Sequence, residues 1–526
     1  MAAHFIRRSL RCLWRLAYAI AGGALLIVVV AAGVFYYEFS RDVPQTFYND
    51  PVRQFKYGST GGEILAGLPV GIFKAMPRLC ADYLHGDSWE ALGFVYEPGM
   101  DRPVGTSLRH SLGFDRIALN CAACHVGTYR ADPQSKRVIV PGMPANRVDL
   151  GRFTRFVVDC VSDERFNPWQ VEQAAEQAGE HDGWLQRELL KYVVVPAMRE
   201  AVLLVKYRFR FLDNEPAPGP GRFDTFNPEK ALLDWPFELL PGRETIGLAD
   251  FPSLWLQGPR AAMNMHLHWD GNNDLVDERN RSAAFGTGAV PTTLDRTSMN
   301  FIANWLRTDA NVPPKYPFPI DAVLAEQGRG LYRQYCASCH GMSGRDFSGG
   351  PDGRVGQITP IRDIRTDPCR LDNYTHALAA EQGNLYAAYP KERFSHFRKT
   401  NGYANMPLDG IWLRGPYLHN GSVPTVRDLL NDAGQRPKVF YRGYDVIDRK
   451  KLGFVSDVPA ENGVAYFRYE TQCVGPQCGP PKTGDTTVCA PGPWAGNSNS
   501  GHDGRAYGTE LAPQQKDAIV EYLKTF

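Results

Sequence analysis

Residues 119–129 read LNCAACHVGTY, and their centre, 121–125, spells CAACH: two cysteines, two small residues between them, then a histidine. The pattern returns at 336–340 as CASCH. On one helical turn, side chains three positions apart project to the same side with Cβ atoms about 5–6 Å apart. Two thiols so placed match the two vinyl groups of one porphyrin, and the adjoining imidazole is positioned to ligate its iron. This is the pattern of covalent c-type haem attachment. One chance occurrence in a chain of this composition has a probability of about 0.5%, and two are far rarer. Two CxxC pairs would also supply the four ligands of a zinc site, but neither zinc nor a thioredoxin-type dithiol requires an immediate histidine in both places. The expectation is two covalently bound haem c groups. Cys121, Cys124, Cys336 and Cys339 would form the thioethers, with His125 and His340 as the first axial ligands.

The rest of the chain suits an exported cytochrome. Its 526 residues exceed one ordinary core. Hydrophobic residues make up 43% and charged residues 22%, with 51 glycines and 39 prolines, a loop-rich globular composition. A net charge of +1 without long like-charge runs argues against nucleic acid as a partner. At the N-terminus Arg7, Arg8, Arg11 and Arg15 precede an uncharged stretch, LAYAIAGGALLIVVVAAGVFYY, at 16–37. Twenty-two helical residues span about 33 Å, enough for the hydrocarbon core of a bilayer. The arginines should remain cytoplasmic and send the remainder across the membrane. A retained inner-membrane anchor with a periplasmic body is expected; a cleaved signal peptide is the rival reading.

Three divisions follow: 1–40, cytoplasmic N-terminus and transmembrane anchor; 41–318, an N-terminal haem c domain with a helical insertion; 319–526, a C-terminal cytochrome c domain. Helical spacing runs from Asp149 to about Phe211, with Leu189, Leu190, Tyr192, Val193, Val194 and Met198 in the pattern. PPKYPFPID at 313–321 cannot continue a helix and marks the boundary. A helix capped by Asp321 carries Leu324, Leu331, Tyr332 and Tyr335 into Cys336, and a last amphipathic helix begins near Pro513, with Ile519, Tyr522 and Leu523 on one face.

Several phrases resemble a family. LDGIWLRGPYLHNGSVPTVRDLL (408–430), VFYRGYDV (439–446), GNSNSGHDGRAYGTEL (496–511), WDGNNDLVDERN (269–280) and FKYGSTGGE (55–63) are similar to the exported di-haem cytochromes that include bacterial rubber oxygenases. Wider relatives are the di-haem cytochrome c peroxidases. The resemblance covers most of the chain after the apolar stretch. It implies a mainly α fold of two tandem cytochrome c-like haem domains with long loops. It also implies an electron-transferring C-terminal haem held by two histidines, the second being His502 here, and an N-terminal haem open to peroxide or dioxygen. A glycine-flanked histidine just before the last helix is independently suited to fold back over a haem; Met406 is the rival sixth ligand, and His419 is read as structural. Trp269 is the expected electron relay between the haems, Phe285 the expected lining of the reactive pocket, and Glu278 a candidate distal acid–base group. His266 and His268, two apart in MHLHWD, threaten the open site, because either as a ligand would make the first haem a six-coordinate relay.

That leaves two functions: a peroxidase- or oxygenase-like oxidoreductase, or a non-catalytic di-haem electron carrier. Either needs an electron-donor protein or a quinol-linked oxidoreductase as partner, and calcium is left open as an additional cofactor. A tether argues against attack on an extracellular solid polymer. Of the other cysteines, Cys12 should be a free cytoplasmic thiol. A disulfide is expected among Cys473, Cys478 and Cys489, most simply Cys473 to Cys478; Cys369 is then available to pair with the third, while Cys80 and Cys160 read as small buried residues. Connectivity stays open at the level of sequence.

Overall fold

The computed structural model describes residues 2–40, 43, 45–181, 183–472 and 487–526. Helix accounts for 44% of the chain and strand for 11%. The strands form one three-stranded and five two-stranded sheets among the described residues, all antiparallel. A single helix, Ala2–Phe35, precedes the body. The span Leu10–Ser40, which runs from this helix through the π-helical turn Tyr36–Ser40, is long and apolar enough to cross a membrane, and its most apolar stretch is unburied.

The expected helices are present. Asp321 caps Ala322–Tyr335 by accepting from the backbone N–H groups of Val323 and Leu324, both at 3.0 Å. Pro513 opens the last helix, Pro513–Leu523, in the first turn, where its missing N–H costs nothing. These two helices cross in direct contact at Gly328, where an added Cβ would lie 1.9 Å from the Ala518 carbonyl oxygen. Only glycine permits that approach, and it seats Ile519 and Leu523 beside Tyr332 in one buried cluster. The helical stretch from Asp149 resolves into Leu150–Ser162, Pro168–Gln177, Trp184–Leu189 and Val195–Arg208, the last two joined by a π-helical turn. Leu190 and Val195 enter the core, whereas Tyr192 and Val193 face outward.

Packing runs across residue 318 rather than stopping there. Trp255 and Met143 share a core with Trp412, Leu413 and Ile519, and the proline-rich 313–321 segment is held by Trp412, whose indole N–H donates to the Pro314 carbonyl at 3.1 Å. Asp445 accepts from Thr128, Arg130 and Arg137 at 2.7, 2.7 and 2.6 Å. Arg442 reaches back to Asp250 at 2.7 Å.

Two disulfides tie the body, Cys80–Cys160 and Cys369–Cys489. The second matches the expected pairing. The first corrects the reading of Cys80 and Cys160 as separate buried residues: the segments Val70–Leu79 and Leu150–Ser162 bring their ends together, a juxtaposition that sequence spacing does not reveal. Cys473 and Cys478 lie outside the described residues.

Candidate functional site

Both CxxCH segments are single helical turns, Ala122–His125 and Ala337–His340, but they are mounted differently. The first sits between the hairpin Thr106–Ser111/Phe114–Leu119 and the pair Val126–Tyr129/Val138–Pro141. Asn120 fixes its start, accepting from the Ala122 N–H at 3.0 Å and donating to the Lys56 and Gly58 carbonyls at 3.2 and 3.0 Å. The second follows directly from the helix Ala322–Tyr335. In each, the histidine Nδ1–H donates to a carbonyl distant in sequence: His125 to Pro252 at 2.8 Å, His340 to Met406 at 2.7 Å. These bonds set the tautomer and leave Nε2 with its lone pair free, the arrangement a metal-binding imidazole needs. The four motif cysteines are free thiols, in contrast to the other described cysteines of the body. Burial raises the thiols of Cys121, Cys124 and Cys336 to about 11, 12 and 12.

Opposite His340 stands His502. The two imidazole centroids are 6.2 Å apart with planes inclined by only 17°. Two metal–imidazole bonds of about 2 Å, plus ring radii of about 1 Å, put centroids roughly 6 Å apart, so the gap fits one iron. His502 adopts a left-handed φ of 51°, and its Nδ1 is buried without a hydrogen-bond partner among the described residues. Burial first, then His340 and Arg436, hold its pKa down to about 3; burial likewise lowers His340. Both rings are therefore neutral at physiological pH, the protonation state that ligates.

The loop that carries His502 is held by buried cations and amides. Arg436 donates to the carbonyls of Asn499, Gly501 (2.8 Å) and His502 (3.1 Å). Arg222 donates to Gly496 and Asn497, Asn420 donates to Gly496 and Ser498, and Asp367 accepts from the Ser498 N–H. None of these supports was read from sequence; an arginine in GQRPK carries no mark of its destination. Met406 sits behind His340, its carbonyl taking the Nδ1 proton on the edge away from Nε2. His419 stacks on Tyr403 at 4.1 Å and pairs with its hydroxyl at 3.0 Å, a structural setting.

His125 has a different outlook. Its aromatic contact among the described residues is Phe251, edge-on at 6.5 Å. It opens into a small, partly enclosed cleft lined by Cys121, Leu254, Arg279, Met299, Ile302 and Leu306 among others. Burial, reinforced by the nearby Arg279 and His268, lowers His125 to about 3. His266 and His268 have separate surroundings, because φ turns positive (62°) at His268 and ends the extended run. His266 Nδ1 faces the Gly271 carbonyl at 3.1 Å; His268 bonds Asn272 at 2.6 Å, stacks near Phe397, and is the one within electrostatic reach of His125.

The three residues expected to act around the first site lie as follows. Trp269 donates from its indole to the Asp250 carbonyl at 2.7 Å and lines a cleft that also contains Pro252, the anchor of His125, and Arg414, which acts electrostatically on His340. It packs against the buried cluster of Ile364, Leu371 and Tyr403, as does Tyr507, which touches His502. Phe285 packs on Tyr386 and Phe394 at 4.6 and 5.7 Å, while Arg279, Asn280 and Ala283 of the same helix, Val276–Gly286, line the His125 cleft. Glu278 is buried with both oxygens engaged, by Asn273 and the backbone N–H groups of Ser395 and His396, so it fastens that helix to the 395–396 segment. Among the described residues, no group of three or more His, Cys, Asp or Glu side chains converges to hold a metal ion, which gives calcium no such cluster.

Residues 402–441, which include the Met406 carbonyl and His419, match the family described as RoxA-like, cytochrome c-like. Two curated relatives come from Sinorhizobium fredii. The uncharacterized protein y4iM is 30% identical over 53% of this chain, and the chain spans 64% of its length. The uncharacterized protein y4iJ is 24% identical over 95% of the chain and 97% of its own length. The chain thus carries a RoxA-like, cytochrome c-like domain, and a domain of this kind implies haem c.

Proposed function

We propose that this chain is a membrane-anchored, periplasmic di-haem c-type cytochrome that works as an oxidoreductase. One haem, on Cys336, Cys339 and His340 with His502 as second axial ligand, relays electrons. The other, on Cys121, Cys124 and His125, keeps a face accessible to peroxide or dioxygen. The observation that carries this reading is the asymmetry between the two histidines: His340 faces a second imidazole at 6.2 Å, whereas the ring contact of His125 is a phenylalanine. Two strong imidazole ligands make a haem an electron-transfer group, and an accessible face lets a haem supply oxygen-species chemistry. Around these positions the chain's own residues divide the work. Pro252 and Met406 orient the proximal rings, the Arg436-bound loop presents His502, and Trp269, lining the cleft that also holds Pro252 and Arg414, is the candidate relay. Peroxidase-like and oxygenase-like chemistry both fit this arrangement, with an electron-donor protein or quinol-linked oxidoreductase supplying the peroxidase variant.

Carbon monoxide added to the reduced full-length protein tests the reading. Binding at one haem of two is expected, followed by peroxide-dependent oxidation of a reduced cytochrome or dioxygen uptake. His268, within electrostatic reach of His125, favours a second reading in which both irons are six-coordinate and the chain is a carrier. In that case carbon monoxide leaves the spectrum unchanged, and the His268→Ala variant gains binding.

A further inference from the structure

Arg279 is 8% exposed, and no hydrogen bond or ion pair engages its guanidinium among the described residues. The other deeply buried arginines are all occupied: Arg102 by Asp101 and Tyr48, Arg130 by Asp445, Arg442 by Asp250, Arg260 by Asp409, Arg370 by Asp270, Arg222 and Arg436 by loop carbonyls. Arg279 projects from one wall of the cleft that holds His125 and Cys121, between apolar Leu254, Met299, Ile302 and Leu306. Its chain neighbours do not serve it. Glu278 is turned toward Ser395 and His396, and Asn280 is paired reciprocally with Gln257. An unpaired ion taken out of water costs several kcal/mol, so a chain keeps one only where an anion arrives to meet it. Guanidinium rather than ammonium suits planar, two-pronged oxygen acceptors.

We infer that Arg279 is the anion clamp of the first haem cleft, holding either a porphyrin carboxylate or a small anionic ligand at the accessible face. The inference rests on the proposed haem at His125. The test compares wild type, Arg279→Gln and Arg279→Lys as full-length, haem-loaded proteins. Azide titration of the ferric form reads the small-anion arm: at least a tenfold weaker Kd in the Gln variant, largely restored by Lys, is expected there. The pH dependence of the first haem's reduction potential reads the carboxylate arm: its inflection shifts in the Gln variant while azide affinity holds. The inference is overturned if neither quantity moves although haem content and thermal unfolding match wild type. Should the Gln variant fail to accumulate, a Lys variant unchanged in both measures overturns it. Haem stoichiometry by alkaline pyridine spectra, with mass mapping of the peptide that carries the haem, keeps the two claims apart: one haem per wild-type chain sinks the di-haem reading, and this inference falls with it if Cys121 and Cys124 are unmodified.

A separate observation concerns the outer surface. Trp184, Tyr192, Leu203 and Tyr207, on the Trp184–Leu189 and Val195–Arg208 helices and the turn between them, are each more than half exposed. That surface adjoins the end of the apolar N-terminal helix, where Gln186 donates to Glu38 at 3.5 Å. A second exposed apolar side chain, Leu112, stands at the hairpin tip where Phe39 packs over Gly113. Exposed aromatic and aliphatic side chains beside an apolar membrane-length helix are suited to settle into a lipid headgroup layer, with Lys191, Lys206 and Arg208, paired to Glu172, Asp159 and Asp234, at the polar boundary. We propose that this face rests on the membrane beside the anchor, which presupposes that the anchor is retained. A spin label at Leu203→Cys, in a Cys12→Ser full-length protein in anionic lipid nanodiscs, should be more accessible to oxygen than to a nickel chelate. Chelate access equal to that of a solvent-facing control, or shielding that appears only as protein concentration rises (a second copy), would falsify the assignment. Intact mass of the nanodisc-bound protein reads anchor retention independently.

Discussion

The two CxxCH turns share a five-residue pattern and a carbonyl behind the histidine, but they are mounted and faced differently. One is cradled by β-ladders in the first half of the chain and looks into a cleft with a lone buried arginine. The other caps a helix and looks at a second imidazole delivered from 162 positions later. The proximal side is built alike, a backbone carbonyl orienting Nδ1, and all the difference lies across from it. On the proposed reading, the motif specifies where a haem is attached, while the distal surroundings specify what it can do.

The largest expected effect comes from removing that distal imidazole. His502→Ala should abolish the low-spin spectrum of the second haem entirely and open it to carbon monoxide; an unchanged spectrum would dissolve the contrast between the sites. Breaking the disulfides sharpens it: each closes a loop long enough to contribute about 4–5 kcal/mol in the chain-entropy account. Cys369→Ser with Cys489→Ser should loosen the His502 loop and disturb only the second haem spectrum. Cys80→Ser with Cys160→Ser should lower stability while leaving that spectrum intact. Arg436→Met strands five carbonyls, those of Asn499, Gly501 and His502 in the loop and those of Leu429 and Asn431, and should cost about 3 kcal/mol or more by denaturant titration, again with the second haem alone perturbed.

Gly328→Ala pushes the two crossing helices apart and should cost about 2 kcal/mol, seen as a lower thermal midpoint. The smallest effect is electrostatic. Burial raises the Asp445 carboxyl, but the Arg137 hydrogen bond and charge, with Arg147 and Thr128, outweigh it and leave the pKa below its usual value. A depressed carboxyl contributes stability that is present above its unfolded pKa near 4 and is lost as pH falls through the lower folded value. Asp445→Asn should flatten the stability–pH curve in that acid range and nowhere else.

The attachment turns and the helices opened by Asp321 and Pro513 were legible because each is written locally, whereas the Cys369–Cys489 bridge was one open possibility among several. The helical stretch after Asp149 was legible as helix but not in its orientation, since Tyr192 and Val193 fit a helical period whichever way they face. What escaped is long-range: the Pro252 and Met406 carbonyls, the Cys80–Cys160 bridge, and the arginine that organises 496–502. Glu278 shows the limit well. Its position in DERN suggests either solvent or acid–base chemistry, and only the fold reveals three donors converging on it from elsewhere. Arg279, beside it, was overlooked because nothing in a sequence marks a cation as unanswered.

The 496–502 loop has a consequence for maturation. Thioethers at Cys336 and Cys339 need only a short open segment, but His502 reaches its place only after Arg222, Asn420 and Arg436 have all been gathered around one backbone. On the proposed ligation, the colour of the second haem is then a built-in gauge of completion: chains with pigment attached but the final closure unmade would be high-spin, distinguishable by eye from finished ones.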